Sequence, residues 1–220
     1  MKLRVVKNIL EANDRIALSN RERFKKAGVF VVNIMSAPGA GKTSLLEKTI
    51  SRLNGRLRAG VIEGDIVGTE DAERLEKLGI PVVQINTQGA CHLDANMIGE
   101  VLDDLPLNDL DILFIENVGN LVCPAEFNVG EDIKVMLLSI TEGDDKPSKY
   151  PLMFKESSAL ILNKIDLAPY LDVNIERIKQ DSLRINPQLK IFEVSCKKEK
   201  GIDDWVSWLL HVRDTVLKLS

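Results

Sequence analysis

The stretch SAPGAGKTS, Ser36–Ser44, constrains this chain more than any other. It lies between the β-branched run VFVVNIM and an apolar-periodic stretch that predicts a helix from Lys42 to about Leu53. A strand, a glycine-rich turn and a helix in that order make a phosphate-binding loop. Gly39, Ala40 and Gly41 form the turn, and the two glycines let the backbone aim its amides inward. The helix start adds free N–H groups and a dipole favourable to an anion. Lys42 brings positive charge to the terminal phosphates, Thr43 offers a hydroxyl to Mg²⁺, and Ser44 lies in reach of the α-phosphate. Ser36 stands where the usual pattern opens with glycine. The lysine, the hydroxyl and the inner glycines remain.

The alternation continues along the chain. AGVIEGD, IPVVQIN, LDILFIEN, DIKVMLLSI, SSALILNKI and QLKIFEVS are strand candidates. DAERLEKLG, stopped by Gly79, and HLDANMIGEVLDDL predict helices between them. The tail GIDDWVSWLLHVRDTVL predicts a helix with Trp205, Trp208, Leu209 and Val212 on its apolar face. Apolar strands alternating with helices give an α/β class: the three-layer fold of P-loop NTPases, a mainly parallel seven-stranded sheet flanked by helices. Val6–Lys26 predicts a further helix, with Ile9, Leu10, Asn13, Ile16, Ala17 and Asn20 along one face and Gly28 to end it. Residues 1–28 are therefore expected to be an N-terminal helical segment that covers the sheet or docks a partner, and 29–220 the P-loop domain. TEGDDKPSKYPLMFKE, Thr141–Glu156, reads as a long irregular connection, either functional or simply solvated.

NKID, Asn163–Asp166, directly follows a strand and resembles the base-recognition motif of GTP-binding proteins. A carboxylate at Asp166 can accept from both the ring N–H and the exocyclic amine of guanine, a donor pair that adenine lacks on that edge. Asn163 would tie neighbouring loops together, and the stem of Lys164 would flank the base. SCKKEKGI follows the next strand and resembles the fifth nucleotide-binding motif of GTPases, which puts Ser195, Cys196 and Lys197 beside the base. Asp65 and Glu116 end strands, where ligands of parallel sheets bind, and suit Mg²⁺ or the attacking water. Glu63 lies two residues before Asp65 on the same side of the pleat. Gly119 gives the segment after Glu116 freedom to respond to a γ-phosphate.

Composition narrows the classes. A net charge of -4 argues against a broad nucleic-acid grip. No apolar run is long enough to span a membrane, and the N-terminus lacks the apolar core of a signal peptide. Three cysteines in no compact framework suit a reducing compartment, so the cytoplasm is expected. Two of them matter most. Cys91 and His92 are adjacent in GACHLDA, and Cys123 follows in NLVCP. By residue type they are soft metal ligands or else small buried residues beside a helix start. Composition leaves both open.

SAPGAGKTS, EGD, GACHLDA, ENVGNLVCP, EGDDKPSKYP and NKIDL follow one another in order. In this the chain resembles the HypB-type nickel-incorporation GTPases of NiFe-hydrogenase maturation, in the SIMIBI class of P-loop GTPases. The likeness runs from about Val29 to the C-terminus. It implies conversion of GTP and water to GDP and phosphate, with Lys42, Asp65 and Glu116 catalytic and Mg²⁺ held by Thr43, Asp65 and Glu116. It also implies a Ni²⁺ or Zn²⁺ site on Cys91, His92 and Cys123. Three ligands are an incomplete set, which suits a site shared across a two-fold axis or left open for transfer. The implied partners are a nucleotide-dependent second copy, a small zinc-containing HypA-type nickel chaperone and the hydrogenase large-subunit precursor. Lys146 or Lys149 would reach the partner's nucleotide. Residues 1–28 hold no cysteine and no histidine, so no N-terminal nickel-loading motif is expected there. The nearest alternatives are a urease nickel-insertion GTPase and a regulatory P-loop GTPase without metal.

Overall fold

The computed structural model describes residues 4–66 and 68–219. The first three residues of the N-terminal segment therefore lie outside the described part. In chain order the elements are α1 (Arg4–Ala27), β1 (Phe30–Ser36), α2 (Lys42–Leu53), β2 (Ala59–Asp65), α3 (Glu70–Glu76), β3 (Val82–Asn86), α4 (Ala95–Val101) and β4 (Ile112–Glu116). There follow α5 (Cys123–Glu126), β5 (Ile133–Ser139), α6 (Lys146–Lys149), α7 (Pro151–Glu156), β6 (Ala159–Asn163), α8 (Ile175–Ile185), β7 (Lys190–Glu193) and α9 (Ile202–Leu219). The seven expected strands form one sheet in the order β3-β2-β4-β1-β5-β6-β7, and all its pairings are parallel. β1 sits between β4 and β5, so its C-terminal end opens at the sheet's crevice, where ligands of this architecture bind.

The pleat of β1 sends its side chains to three packed clusters. Phe30, Val32 and Ile34 pack with Leu45 and Leu46 of α2 and with Trp205 and Leu209 of α9. Val31 joins Phe24 of α1 and Ile98 of α4 on the other face. Met35 joins Met153 and Phe154 of α7 and Ile178 of α8. Trp205 is fully buried, and its indole N–H donates to Thr49 Oγ1 at 3.0 Å, so burial leaves no orphan donor. Truncating a side chain so placed costs about 3–5 kcal/mol.

Four expectations change. Thr141–Glu156 is not irregular: it forms a 3₁₀ turn and the short helices α6 and α7. Ser139 and Glu142 cap that turn reciprocally, and Pro147 and Pro151 pre-set the first turns of the two helices. α4 starts at Ala95 rather than His92, because the Asp94 carboxylate accepts the Met97 N–H at 2.8 Å and fixes the helix start there. α8 was not foreseen, although Asn174 caps it by accepting the Arg177 N–H at 2.9 Å. On α1, Asn13, Ala17, Asn20 and Phe24 are buried, whereas Ile9 is 53% and Ile16 36% exposed. The helix thus packs in part through amides.

Candidate nucleotide and metal site

Around the phosphate loop the expected residues converge. Gly41 holds φ 102°, and a Cβ there would stand 2.7 Å from Asn163 Nδ2. Only glycine admits so close an approach in that conformation. Asn163 donates to the Ala40 carbonyl at 2.9 Å and accepts the Cys196 N–H at 3.3 Å, so it ties the loop to the segment after β7. Lys164 occupies the left-handed region (φ 64°) and its ammonium donates to the Gly39 carbonyl at 2.7 Å. The Asp166 carboxylate accepts from Ser195 Oγ at 2.5 Å, and Ser195 Oγ in turn accepts the Lys198 N–H at 3.1 Å. A carboxylate oriented this way can meet two donors on one edge of a base. Lys197 is exposed beside it. Burial pushes the Cys196 thiol up to about 11, which leaves it a poor nucleophile and a poor ligand.

At the phosphate end, Lys42 Nζ donates to Ser36 Oγ at 3.2 Å and Thr43 Oγ1 to Glu116 Oε1 at 2.9 Å. Ser44 Oγ accepts from Arg74 of α3 at 3.2 Å. Glu63 and Glu116 are register partners on adjacent strands, and both are 3% exposed. One oxygen of each, Glu63 Oε2 and Glu116 Oε2, is buried without a hydrogen-bond partner. Burial, then the Glu116 and Asp65 carboxylates, push Glu63 up to about 8. Burial pushes Glu116 up to about 7 against the pull of Lys42 and Thr43. Two desolvated carboxylates beside a hydroxyl and a lysine suit a hard divalent cation such as Mg²⁺. Asp65 stands differently. Its two oxygens accept the N–H groups of Ile66 at 2.6 Å and Gly68 at 3.0 Å, so it shapes the turn after β2.

Distance brings the two cysteines and the histidine together. Cys91, His92 and Cys123 present ligand atoms all within 4.8 Å of one another. Cys91 Sγ lies 3.2 Å from Cys123 Sγ and 3.7 Å from His92 Nδ1. Adjacent residues on a helix diverge, but the late start of α4 leaves Cys91 and His92 in a loop, and so they can converge. Two sulfurs on one metal at bonds of roughly 2.3 Å stand about 3.3–3.8 Å apart, so the observed pair is close to a binding geometry. Burial lowers the His92 pKa, which favours the neutral, ligating imidazole. Burial and then Cys91 raise the Cys123 thiol. No fourth histidine, cysteine or carboxylate joins the set among the described residues.

Two residues of this region escaped the sequence reading. Phe127 packs its ring against His92 with centroids 4.0 Å apart and planes tilted by 36°, which limits the room the imidazole has to turn. Asn117 follows Glu116 and is fully buried. Its Oδ1 accepts the Leu93 N–H at 3.0 Å and the Val118 N–H at 3.0 Å, and its Nδ2 donates to Asn33 Oδ1 at 3.2 Å. It therefore ties the Cys91–His92 loop to the end of β4. Two residues on, Gly119 approaches the phosphate loop so closely that a Cβ would stand 2.9 Å from Pro38 Cα. A polar residue after a strand-ending glutamate was the only available sign of this tie.

The fold and site define a P-loop nucleotide-binding protein carrying a cluster of two thiols and an imidazole where the segments after β3 and β4 meet. Residues 30–193 match the family model described as CobW/HypB/UreG, nucleotide-binding domain. The chain belongs to this family and, within it, to the HypB hydrogenase maturation factors. It is 48% identical over 98% of its length to hydrogenase maturation factor HypB of Azotobacter vinelandii, covering 71% of that protein. It is 44% identical to the probable HypB of Methanocaldococcus jannaschii, over 91% of each chain. Among solved structures, HypB from Helicobacter pylori in complex with nickel superposes with a TM-score of 0.88 at 39% identity, over 94% of this chain and 97% of that one. No helix among the described residues is long and apolar enough to cross a membrane.

Proposed function

We propose that this chain hydrolyses GTP to GDP and phosphate and uses the nucleotide state to control a transferable nickel ion, in support of nickel insertion into a hydrogenase precursor in the cytoplasm. The carrying observation is the single segment from Glu116 to Cys123. Its first residue faces the phosphate loop through Thr43, its second holds the Cys91–His92 loop through Leu93, and its last is a ligand candidate. Movement of Asn117–Gly119 with the terminal phosphate changes the spacing of the two ligand loops. This is the local order change through which GTPases report their nucleotide.

Lys42 leaves Ser36 for the terminal phosphate oxygens, and Asp166, held by Ser195, reads guanine. Thr43 and Glu116, with Glu63 beside them, are the residues that would hold Mg²⁺, and Asp65 would join them from the strand end while keeping its turn hydrogen bonds. The ion would neutralise phosphate charge. Nickel is cargo rather than a resident group: zinc fits the same donors, and three donors leave a coordination position for a giver or receiver. A second copy of this chain, a HypA-type zinc-containing chaperone and the hydrogenase large-subunit precursor are the partners this reading requires. In the single chain Lys146 and Lys149 both pair with Asp145, at 3.2 and 2.5 Å, so reaching a partner's nucleotide requires those pairs to open.

Metal stoichiometry after Cys91→Ala and Cys123→Ala tests the reading. Each variant should lose the bound nickel or zinc while binding GDP as the parent does. Unchanged stoichiometry would remove the metal role and leave a regulatory GTPase.

A further inference from the structure

The two ligand loops are joined a second time, from outside, by α1. Asn13 is 7% and Asn20 3% exposed, unusual burial for amides on a peripheral helix. Asn13 Oδ1 accepts the Ala95 N–H at 2.9 Å, and its Nδ2 donates to the Asn128 carbonyl at 2.8 Å. Asn20 Nδ2 donates to the Ala95 carbonyl at 2.7 Å and to the Val129 carbonyl at 3.2 Å. Ala95 begins the helix that follows Cys91 and His92, while Asn128 and Val129 follow the short helix that Cys123 begins. Each asparagine thus takes one bond from the Cys91–His92 side and one from the Cys123 side. The Ala95 N–H is the first of α4 and has no acceptor within its own helix, so Asn13 completes that helix start.

The neighbouring surfaces are cut back to admit Asn20. A Cβ at Gly99 of α4 would stand 3.1 Å from Asn20 Oδ1. One at Gly130 would stand 2.9 Å from Asn20 Cβ and 3.0 Å from the Ala17 carbonyl oxygen. The next turn repeats the pattern. Arg21 donates to the Glu131 carbonyl, and Arg23 to the Gly99 carbonyl at 3.4 Å. Apolar side chains would anchor a helix without desolvating amides, yet Ile9 and Ile16 of α1 stay exposed. Anchoring alone does not account for side chains that each bridge two separate segments.

We propose, on the reading of Cys91, His92 and Cys123 as the metal set, that Asn13 and Asn20 are positioning residues. They make α1 a splint that holds the two ligand loops at their binding separation. Any event that shifts α1 therefore alters metal affinity without touching a ligand.

The test uses the full chain, metal-free and GDP-bound, with the alanine variants Asn13→Ala and Asn20→Ala. The Cys91 and Cys123 thiols, 3.2 Å apart, are oxidised to a disulfide by oxidised glutathione, which is reduced to two thiols, and the rate is followed by mass mapping. Zinc and nickel affinities are measured in parallel. The splint predicts a several-fold slower disulfide step and a loss of roughly tenfold or more in metal affinity, as for outer partners of metal ligands, at unchanged GDP affinity. Unchanged disulfide rate and metal affinity would overturn it. Should the alanine variants bind GDP poorly, Asn13→Asp keeps the acceptor for Ala95 and sets a carboxylate oxygen against the Asn128 carbonyl, which breaks the bridge on the Cys123 side. The same outcomes then decide. Cys123→Ala separates the two layers: metal binding that survives it sinks the metal reading, while the disulfide rate in the asparagine variants, which keep both cysteines, still judges the splint.

Discussion

Replacing Asn117 by alanine cuts the tie between the phosphate end and the Cys91–His92 loop. Asn117 is fully buried, and its side chain makes three hydrogen bonds, to the N–H groups of Leu93 and Val118 and to Asn33 Oδ1. Removing it leaves two backbone donors and one amide oxygen without their partner inside the protein. At a net worth near 1 kcal/mol for each, the loss is roughly 3 kcal/mol, an order-of-magnitude figure. For a domain of this size that lowers Tm by about 6–12 °C. A purely structural residue would do only this. A coupling residue must also flatten the difference in metal affinity between the GDP form and the form bound to a non-hydrolysable GTP analogue. Calorimetric unfolding reads the first effect, and competition against a chromophoric zinc chelator in both nucleotide states reads the second. If Asn117→Ala lowers Tm but keeps the full nucleotide-dependent difference in metal affinity, the proposed route through Leu93 is wrong.

Two further outcomes are expected. Asp166→Asn replaces a carboxylate acceptor with an amide that also disturbs the 2.5 Å bond from Ser195. Two charge-assisted bonds to guanine, worth about 1.5–3 kcal/mol each, are lost, so GDP affinity should fall at least a hundredfold. Isothermal titration checks this, and a change below threefold would refute the base-reading role. The pH dependence of the nucleotide-free protein follows from Glu63 and Glu116, whose pKa values are raised to about 8 and about 7. A carboxyl with a raised folded pKa binds its proton more tightly in the native state, so its stabilisation is complete below the unfolded value and is lost as pH rises through the folded one. Chemical denaturation should show stability falling from about pH 4.5 to about pH 8, by about 3 kcal/mol from Glu116 alone, its share complete by about pH 7. Glu116→Gln removes that share, which separates it from the opposite effect of His92, whose pKa burial lowers. Stability that rises over this window, in both proteins alike, would contradict the assignment.

The candidate nucleotide site was legible because its signals are local in sequence. GKT and NKID each carry several interacting residues within one turn, and the β-branched runs before them fix the strands. The parallel sheet followed from seven apolar runs separated by helices. What escaped was non-local or small. α8 is the exception, since Ile175, Ile178, Ser182 and Ile185 recur at helical spacing behind the Asn174 cap, a local pattern that was passed over; the order in Thr141–Glu156 depends on Ser139 and Glu142 capping each other at its start. Asn13, Asn20 and Asn117 read as ordinary polar residues in sequence. Apart from Val118, their partners lie from 24 to 115 positions away, and only the folded chain brings them to Leu93, Ala95 and Asn128. The cysteine–histidine pair sits between these cases: its residue types suggested a ligand set, but its convergence needed α4 to start late.

The most direct test of the account is the nickel affinity of the wild-type chain measured twice, once with GDP and Mg²⁺ and once with a non-hydrolysable GTP analogue and Mg²⁺. One segment carries both Glu116 and Cys123, so the account predicts different affinities, by fivefold or more at a typical coupling of about 1 kcal/mol or above. Equal affinities in the two states would contradict it.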